Sequence, residues 1–402
     1  MDNIRLDSDM DRGVVDLLFK MLKQSLQGCT VDACPDEQAL SRVLPLLQLP
    51  SIRTVRPILY PLLNAILPQS LKDNNPDFEE VGKDYYYRSQ RNAELWREFC
   101  CVAQECAKRN IPLIALKGIC VKDLYGDSMV RSMGDVDFLI RKKDFNAVED
   151  VLFGMGYAYI HARHVQIHKD YYCHVAYKKD KLSMEIHWLL VLPSCPFRFD
   201  HEGIWKRAVP WDKVNGNALV MDDVDLFLHL CAHIVKHAYT ELDPEEKAFE
   251  IPLRAYCDIA LILLKYDLDW TEIQRRAETC RIWNSVLFAS CVAAKLFDIC
   301  LPQPVKAESY RRLGWLLSRL AQSRVECLQL ACNLPDSFIV KALFWETLDN
   351  KLRLFRRSFP LAIAVRRLRP HVLRWAAIDN TFGRFSAKTL SLYRIIKKGV
   401  CG

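Results

Sequence analysis

No Cys-x-x-Cys pair occurs in this chain, although it carries 16 cysteines among 402 residues. The thiols follow no regular spacing, and Cys100 and Cys101 are adjacent, which excludes an ordinary disulfide framework. The expected setting is therefore a reducing cytoplasm with mostly buried thiols. No apolar run approaches the roughly 20 residues needed to span a bilayer, so no transmembrane segment is expected. The opening MDNIRLDSDMD is acidic and polar, and is not expected to act as a secretory signal. There is no GxxxxGK[ST] phosphate loop and no HRD/DFG set, which excludes the P-loop and protein-kinase routes to phosphoryl chemistry. Asp7-x-Asp9-x-Asp11 lacks the glycine and the glutamate of a calcium loop, so that reading fails too.

What is present is a long, apolar chain with lopsided charge. Half the residues are hydrophobic, and the length predicts two or three domains or subdomains. Net charge is +7, yet residues 351–402 carry 13 Lys and Arg against the single acid Asp379, a net +12. The rest of the chain is near −5. Three readings of the basic segment stand open: a solvated helix face, a surface for an acidic partner such as RNA or a peptide, and a membrane-surface helix.

The stretch from Pro112 to Trp188 concentrates the chemistry. PLIAL reads as a buried strand, and Lys117-Gly118 as the tight turn that ends it. VDFLI reads as a second strand, with Asp135 and Asp137 two apart at its start, so both carboxylates project to one side. Carboxylates that close repel each other, and a proton or a cation must relieve them. HVAYK and KLSMEIHW read as a hairpin with a polar turn near Lys178 to Lys181. In the second arm Met184, Ile186 and Trp188 alternate with Glu185 and His187. If that arm pairs beside VDFLI, Glu185 reaches the aspartates. Three carboxylates on adjacent strands can hold two divalent ions for in-line displacement at phosphorus. Lys117, Gly118, Arg131 and Gly134 then fall on the phosphate side. Asp-x-Asp alone is a poor signal, because Asp223/Asp225 and Asp267/Asp269 share it. Asp223 and Asp225 begin a helical pattern and suit a helix N-terminus.

LKG, YGD, RSMGDVDFLI, GMGY and EIHW, taken together, resemble the uncharacterised nucleotidyltransferase family of the DNA-polymerase-β-like superfamily. The resemblance covers about residues 110 to 260. It implies an α+β fold with a small mixed sheet, and transfer of a nucleoside monophosphate from an NTP with release of pyrophosphate. It also implies that Asp135 and Asp137 bind Mg²⁺, with Mn²⁺ able to replace it, and that Glu185 completes the metal site. Gly118 matches the glycine that lets the backbone approach the triphosphate. Lys117-Gly118 stands where the superfamily has Gly-Gly or Gly-Ser, and Asp135 follows Gly118 by 17 positions. The alternative is a non-catalytic nucleotide-binding or regulatory protein on the same fold. The acceptor stays open among a small molecule, an RNA and a peptide.

Around this core the expected layout is an N-terminal helical region at 1–95 and the catalytic core at 96–200. A helical domain at 201–300 and the basic helical region at 301–402 follow. SLKDNNPDFEEVGKD, near 70–84, reads as an exposed loop, and Asp144 as the N-cap of a helix that Gly154 and Gly156 end. His161, His164, His168 and His174 could bind zinc, but without thiolate pairing or compact ligand spacing they read as exposed loop and strand histidines. His187 reads as a group that orients Glu185 or contacts substrate. His229, His233 and His237 lie four apart on one helix face, but without a HExxH glutamate they read as core or groove residues. Arg254 and Asp258, also four apart, are in ion-pair range and read as internal packing or as contacts to substrate.

Overall fold

Leu95, Phe99, Val102, Ala103 and Cys106 recur at helical spacing and form one buried face. They belong to a helix that runs from Pro76 to Lys108 in the structure, a computed structural model. It describes residues 12–28, 36–73, 75–127, 129–193, 195–239, 251–320, 323–332 and 344. The basic segment from Lys351 lies outside the described residues, as do the side chains of His164 and His237. The described residues belong to one compact unit, residues 1–346.

The loop expected near 70–84 is largely the start of that long helix. Asn75 caps it by accepting from the backbone N–H groups of Asp77 and Phe78, and Pro76 supplies the preset φ of a first turn. In its first turns Glu79, Glu80 and Lys83 are exposed while Phe78, Val81 and Gly82 are buried. An acidic, polar first turn hid an amphipathic helix.

Among the described residues the strands are β1 Ile114–Leu116, β2 Val136–Leu139, β3 Ala158–Tyr159, β4 His174–Lys179, β5 Leu182–His187, β6 Val209–Pro210 and β7 Leu219–Val220. These seven form one mixed sheet in the order β3-β4-β5-β2-β1-β7-β6. With the surrounding helices this makes an α+β fold, as expected. β4 and β5 are the expected hairpin, turning through Asp180 at φ +53°. β2 pairs parallel with β5 and antiparallel with β1.

Strand alternation gives the sheet two unlike faces. Ala115, Val136, Phe138, Val175, Tyr177, Met184 and Ile186 pack into the core with the Pro76–Lys108 helix and Val148, Val151 and Leu152. The last three lie on the Phe145–Gly154 helix, which ends before Gly156 at φ +87°. Asp144 stands at its N-cap position but makes no capping bond. The opposite register positions of β2, β4 and β5 carry Asp137, His174, Glu185 and His187. The Asp223–Tyr239 and Leu253–Lys265 helices complete the cavity on that side. Among the described residues no helix is long and apolar enough to cross a membrane. The described cysteines are free thiols, most of them buried.

Candidate functional site

In the β2–β5 pair, Asp137 stands opposite Glu185 and Leu139 opposite His187. The register decides the site, because a one-residue slip would turn either acid into the hydrophobic layer. Asp137, Glu185 and His187 each place a ligand atom within 4.8 Å of the others. His187 Nε2 links them, 2.9 Å from Asp137 Oδ1 and 3.1 Å from Glu185 Oε2. His187 thus touches both carboxylates through one nitrogen. Asp137 and His187 are both almost fully buried, at 3% and 1% exposure. Asp135 lies just before β2, half-buried, outside the tightest set.

Lys117 Nζ donates to Asp137 Oδ1 at 2.6 Å. Its backbone holds φ +47°, ψ −126°, a sparsely populated region for a residue with a side chain. Such a conformation costs on the order of 1–3 kcal/mol and persists where the surroundings over-determine it. Glycine would relieve the strain but remove the cation from Asp137.

The charges shift each other strongly. Burial raises Asp135, and the charges of Asp137 and Glu185 add to it, bringing its carboxyl to about 6. Burial acts the same way on Asp137, but Lys117 and His187 overturn it and hold that carboxyl well below its ordinary range. Glu185 is also lowered, despite burial and Asp137, by His187, His174 and Lys117. Burial would lower Lys117, yet the three acids raise it. His187 is pushed up to about 10, as Asp137, Cys173 and Glu185 outweigh burial. Burial would raise the Cys173 thiol, yet His174, His187 and Lys236 bring it down to about 5.

Arg131, placed by sequence on the phosphate side, lines the cavity with Lys117 and Gly118 and is held there by an internal pair. Its Nε and Nη2 donate to Asp258 at 3.2 and 2.6 Å, and Nη1 donates to the Ser132 carbonyl at 3.2 Å. Tyr125 donates to the same carboxylate at 2.7 Å. Asp258 thus takes Arg131 as its partner, 127 positions away, and not Arg254 on its own helix. Arg254 reaches the Ser132 carbonyl. Gly118 has a matching reason to be glycine: a Cβ there would sit 2.2 Å from Arg131 Nη1. The glycine lets the Arg131 side chain pass. Gly134 is exposed, and its carbonyl accepts from Arg91 at 2.7 Å.

A cavity of about 350 Å³ joins these parts. The acids and Lys117 line it from the sheet side. His233, Lys236 and Arg254 line it from the two helices, with Ile234, Ile251 and Pro252 adding apolar surface. His229 is buried behind, and burial holds its imidazole well below the ordinary value. Neither His229 nor His233 belongs to a ligand cluster among the described residues.

Sequence reasoning missed Lys236, a buried lysine. Its signal was a cation inside the apolar run CAHIVKHAY. It also missed Asn92, which is fully buried in the long helix. The Asn92 amide donates to the carbonyls of Met129 and Arg131 at 2.6 and 2.8 Å, and its oxygen accepts from the N–H of Met133. Asn92 therefore clamps the loop that delivers Asp135 and Asp137. A lone Asn in a helix gave no local signal of this.

A family model described as uncharacterised nucleotidyltransferase matches residues 56–298, more than half the chain and every residue lining the cavity. No curated protein matches the chain. No solved structure matches it.

Proposed function

Because the chain belongs to the uncharacterised nucleotidyltransferase family, we propose that it transfers a nucleoside monophosphate from an NTP to an acceptor and releases pyrophosphate. One observation carries the reading. Two acids 48 positions apart stand opposite each other on parallel strands, and helix-borne cations line the same cavity.

The residues fit a hard divalent ion. The donors are carboxylate oxygens, and Asp135 rises to about 6 because burial and the charges of Asp137 and Glu185 crowd it. Asp137 and Glu185, with Asp135 beside them, would hold Mg²⁺, or Mn²⁺ in its place. When bound, that ion neutralises phosphate oxygens and lowers the pKa of an attacking hydroxyl.

The chain's own groups do the rest. Lys117 and His187 keep Asp137 ionised and fix its rotamer. Glu185, held below its ordinary range, serves as an oxygen ligand rather than a proton acceptor. Lys236 and Arg254 balance the triphosphate charge from the helix side. Arg131 supports the floor beneath Gly118 through Asp258. The apolar stretch of Ile234, Ile251 and Pro252 offers a surface for a base or a sugar.

The experiment incubates the full chain with each α-labelled NTP, Mg²⁺ and a cell extract, and follows label into an acceptor. Mg²⁺-dependent labelling that Asp137→Asn abolishes is the expected result. The reading fails if no NTP yields a labelled product and none raises the melting temperature with Mg²⁺.

A further inference from the structure

We propose that Cys173, His174 and His187 form a second metal site, one that takes a soft divalent ion, zinc by its chemistry. One ligand atom from each of the three lies within 4.8 Å of the others. The topology builds the set: His174 stands opposite His187 in the β4–β5 hairpin, and Cys173 directly precedes β4. The Cys173 carbonyl accepts from the N–H groups of Trp188 and Leu189, which fixes the thiol beside the far end of the hairpin. Cys173 Sγ lies 3.3 Å from His174 Nδ1. A tetrahedral zinc with Zn–S about 2.3 Å and Zn–N about 2.05 Å asks for about 3.5 Å there.

The second observation is His187 itself. Its Nε2 is taken by Asp137 and Glu185, and its Nδ1 is buried without a hydrogen-bond partner. Zinc-binding imidazoles are arranged this way: one nitrogen donates to a carboxylate and the other meets the metal. His174 repeats the pattern, with Nδ1 toward the thiol and Nε2 3.8 Å from Glu185. Thiolate and imidazole suit zinc, whereas the neighbouring Asp137–Glu185 oxygens suit magnesium. Three protein ligands leave the fourth position to water, which His174 borders where it lines the cavity. The ion locks the His187 ring, and through Nε2 it positions Asp137 and Glu185. The site stands on these residues alone and does not depend on nucleotide transfer.

The test strips the reduced full chain with chelator, loads it with zinc, removes excess ion and measures metal by mass spectrometry. About one zinc per chain is expected, falling to below about a tenth in Cys173→Ser and in His174→Ala. Asp135→Asn should retain it. X-ray absorption of the zinc-loaded wild type should show one sulfur and two imidazole nitrogens. A folded wild type that takes up no zinc overturns the proposal. So does zinc retained in Cys173→Ser, or a zinc shell without sulfur, which would move the ion to Asp137 and Glu185. If Cys173→Ser does not fold, the absorption spectrum of the wild type decides the matter.

Discussion

Replacing Asp258 with Asn should cost about 3–5 kcal/mol of unfolding free energy, because it strands a buried guanidinium. The side chains of Arg131 and Asp258 are 8% and 3% exposed and meet through two hydrogen bonds. With the carboxylate neutralised, Arg131 keeps only neutral amide oxygens, the Ser132 carbonyl and the new side-chain oxygen, and has no counter-ion. The pair itself is worth far less than its rupture, since both ions paid desolvation to enter the fold. The double replacement Arg131→Met with Asp258→Leu should therefore cost less than Asp258→Asn alone. Gly118→Ala should approach the same loss by another route, as its Cβ would meet Arg131 Nη1 at 2.2 Å and drive the guanidinium off the carboxylate. Urea unfolding of these three variants, and of Arg131→Met and Asp258→Leu singly, measures this. A cost below about 1 kcal/mol for Asp258→Asn, or a double variant costing the sum of the singles, would refute the reasoning.

Asn92→Ala should cost about 2–3 kcal/mol, from three hydrogen bonds around the 129–133 loop, two of them buried. It should also lower nucleotide transfer by displacing Asp135, which urea unfolding and the label assay read separately. Tyr125→Phe should cost about 1.5–3 kcal/mol, the range for a hydrogen bond to a charged group. At Glu149, burial would raise the carboxyl, but hydrogen bonds from Tyr159, Lys169 and Tyr177 lower it below its ordinary value. Its folded form binds fewer protons than its unfolded form, so its contribution is present above the unfolded pKa and lost as pH falls through the folded one. Stability measured from neutral pH into the acid range should drop less steeply in Glu149→Gln than in the wild type, and equal slopes would count against the three-donor cradle.

Much of the acid site is legible in the sequence, and the reason is local. Asp135-x-Asp137 and Glu185 sit on strands whose period of two shows in the apolar residues between them. Pairing those strands needed only the hairpin turn at Asp180 and the short β2. The Arg131–Asp258 pair was illegible for the opposite reason. The i,i+4 rule pointed Asp258 at Arg254, and only tertiary packing brings Arg131 across 127 positions to outcompete it. Cys173 carries no signal of its own, and no spacing joins it to His174 and His187; the hairpin register does. The start of the long helix reads as a loop because its polar residues line one outward face, while Phe78 and Val81 mark the inner one too sparsely to stand out.

The most direct measurement of the central claim is NTP binding by calorimetry, with Mg²⁺ and with chelator, to the wild type and to Asp137→Asn. The account predicts binding that depends on the ion in the wild type and no such dependence in the variant. Equal affinity with and without Mg²⁺ in the wild type, unchanged by Asp137→Asn, would contradict it.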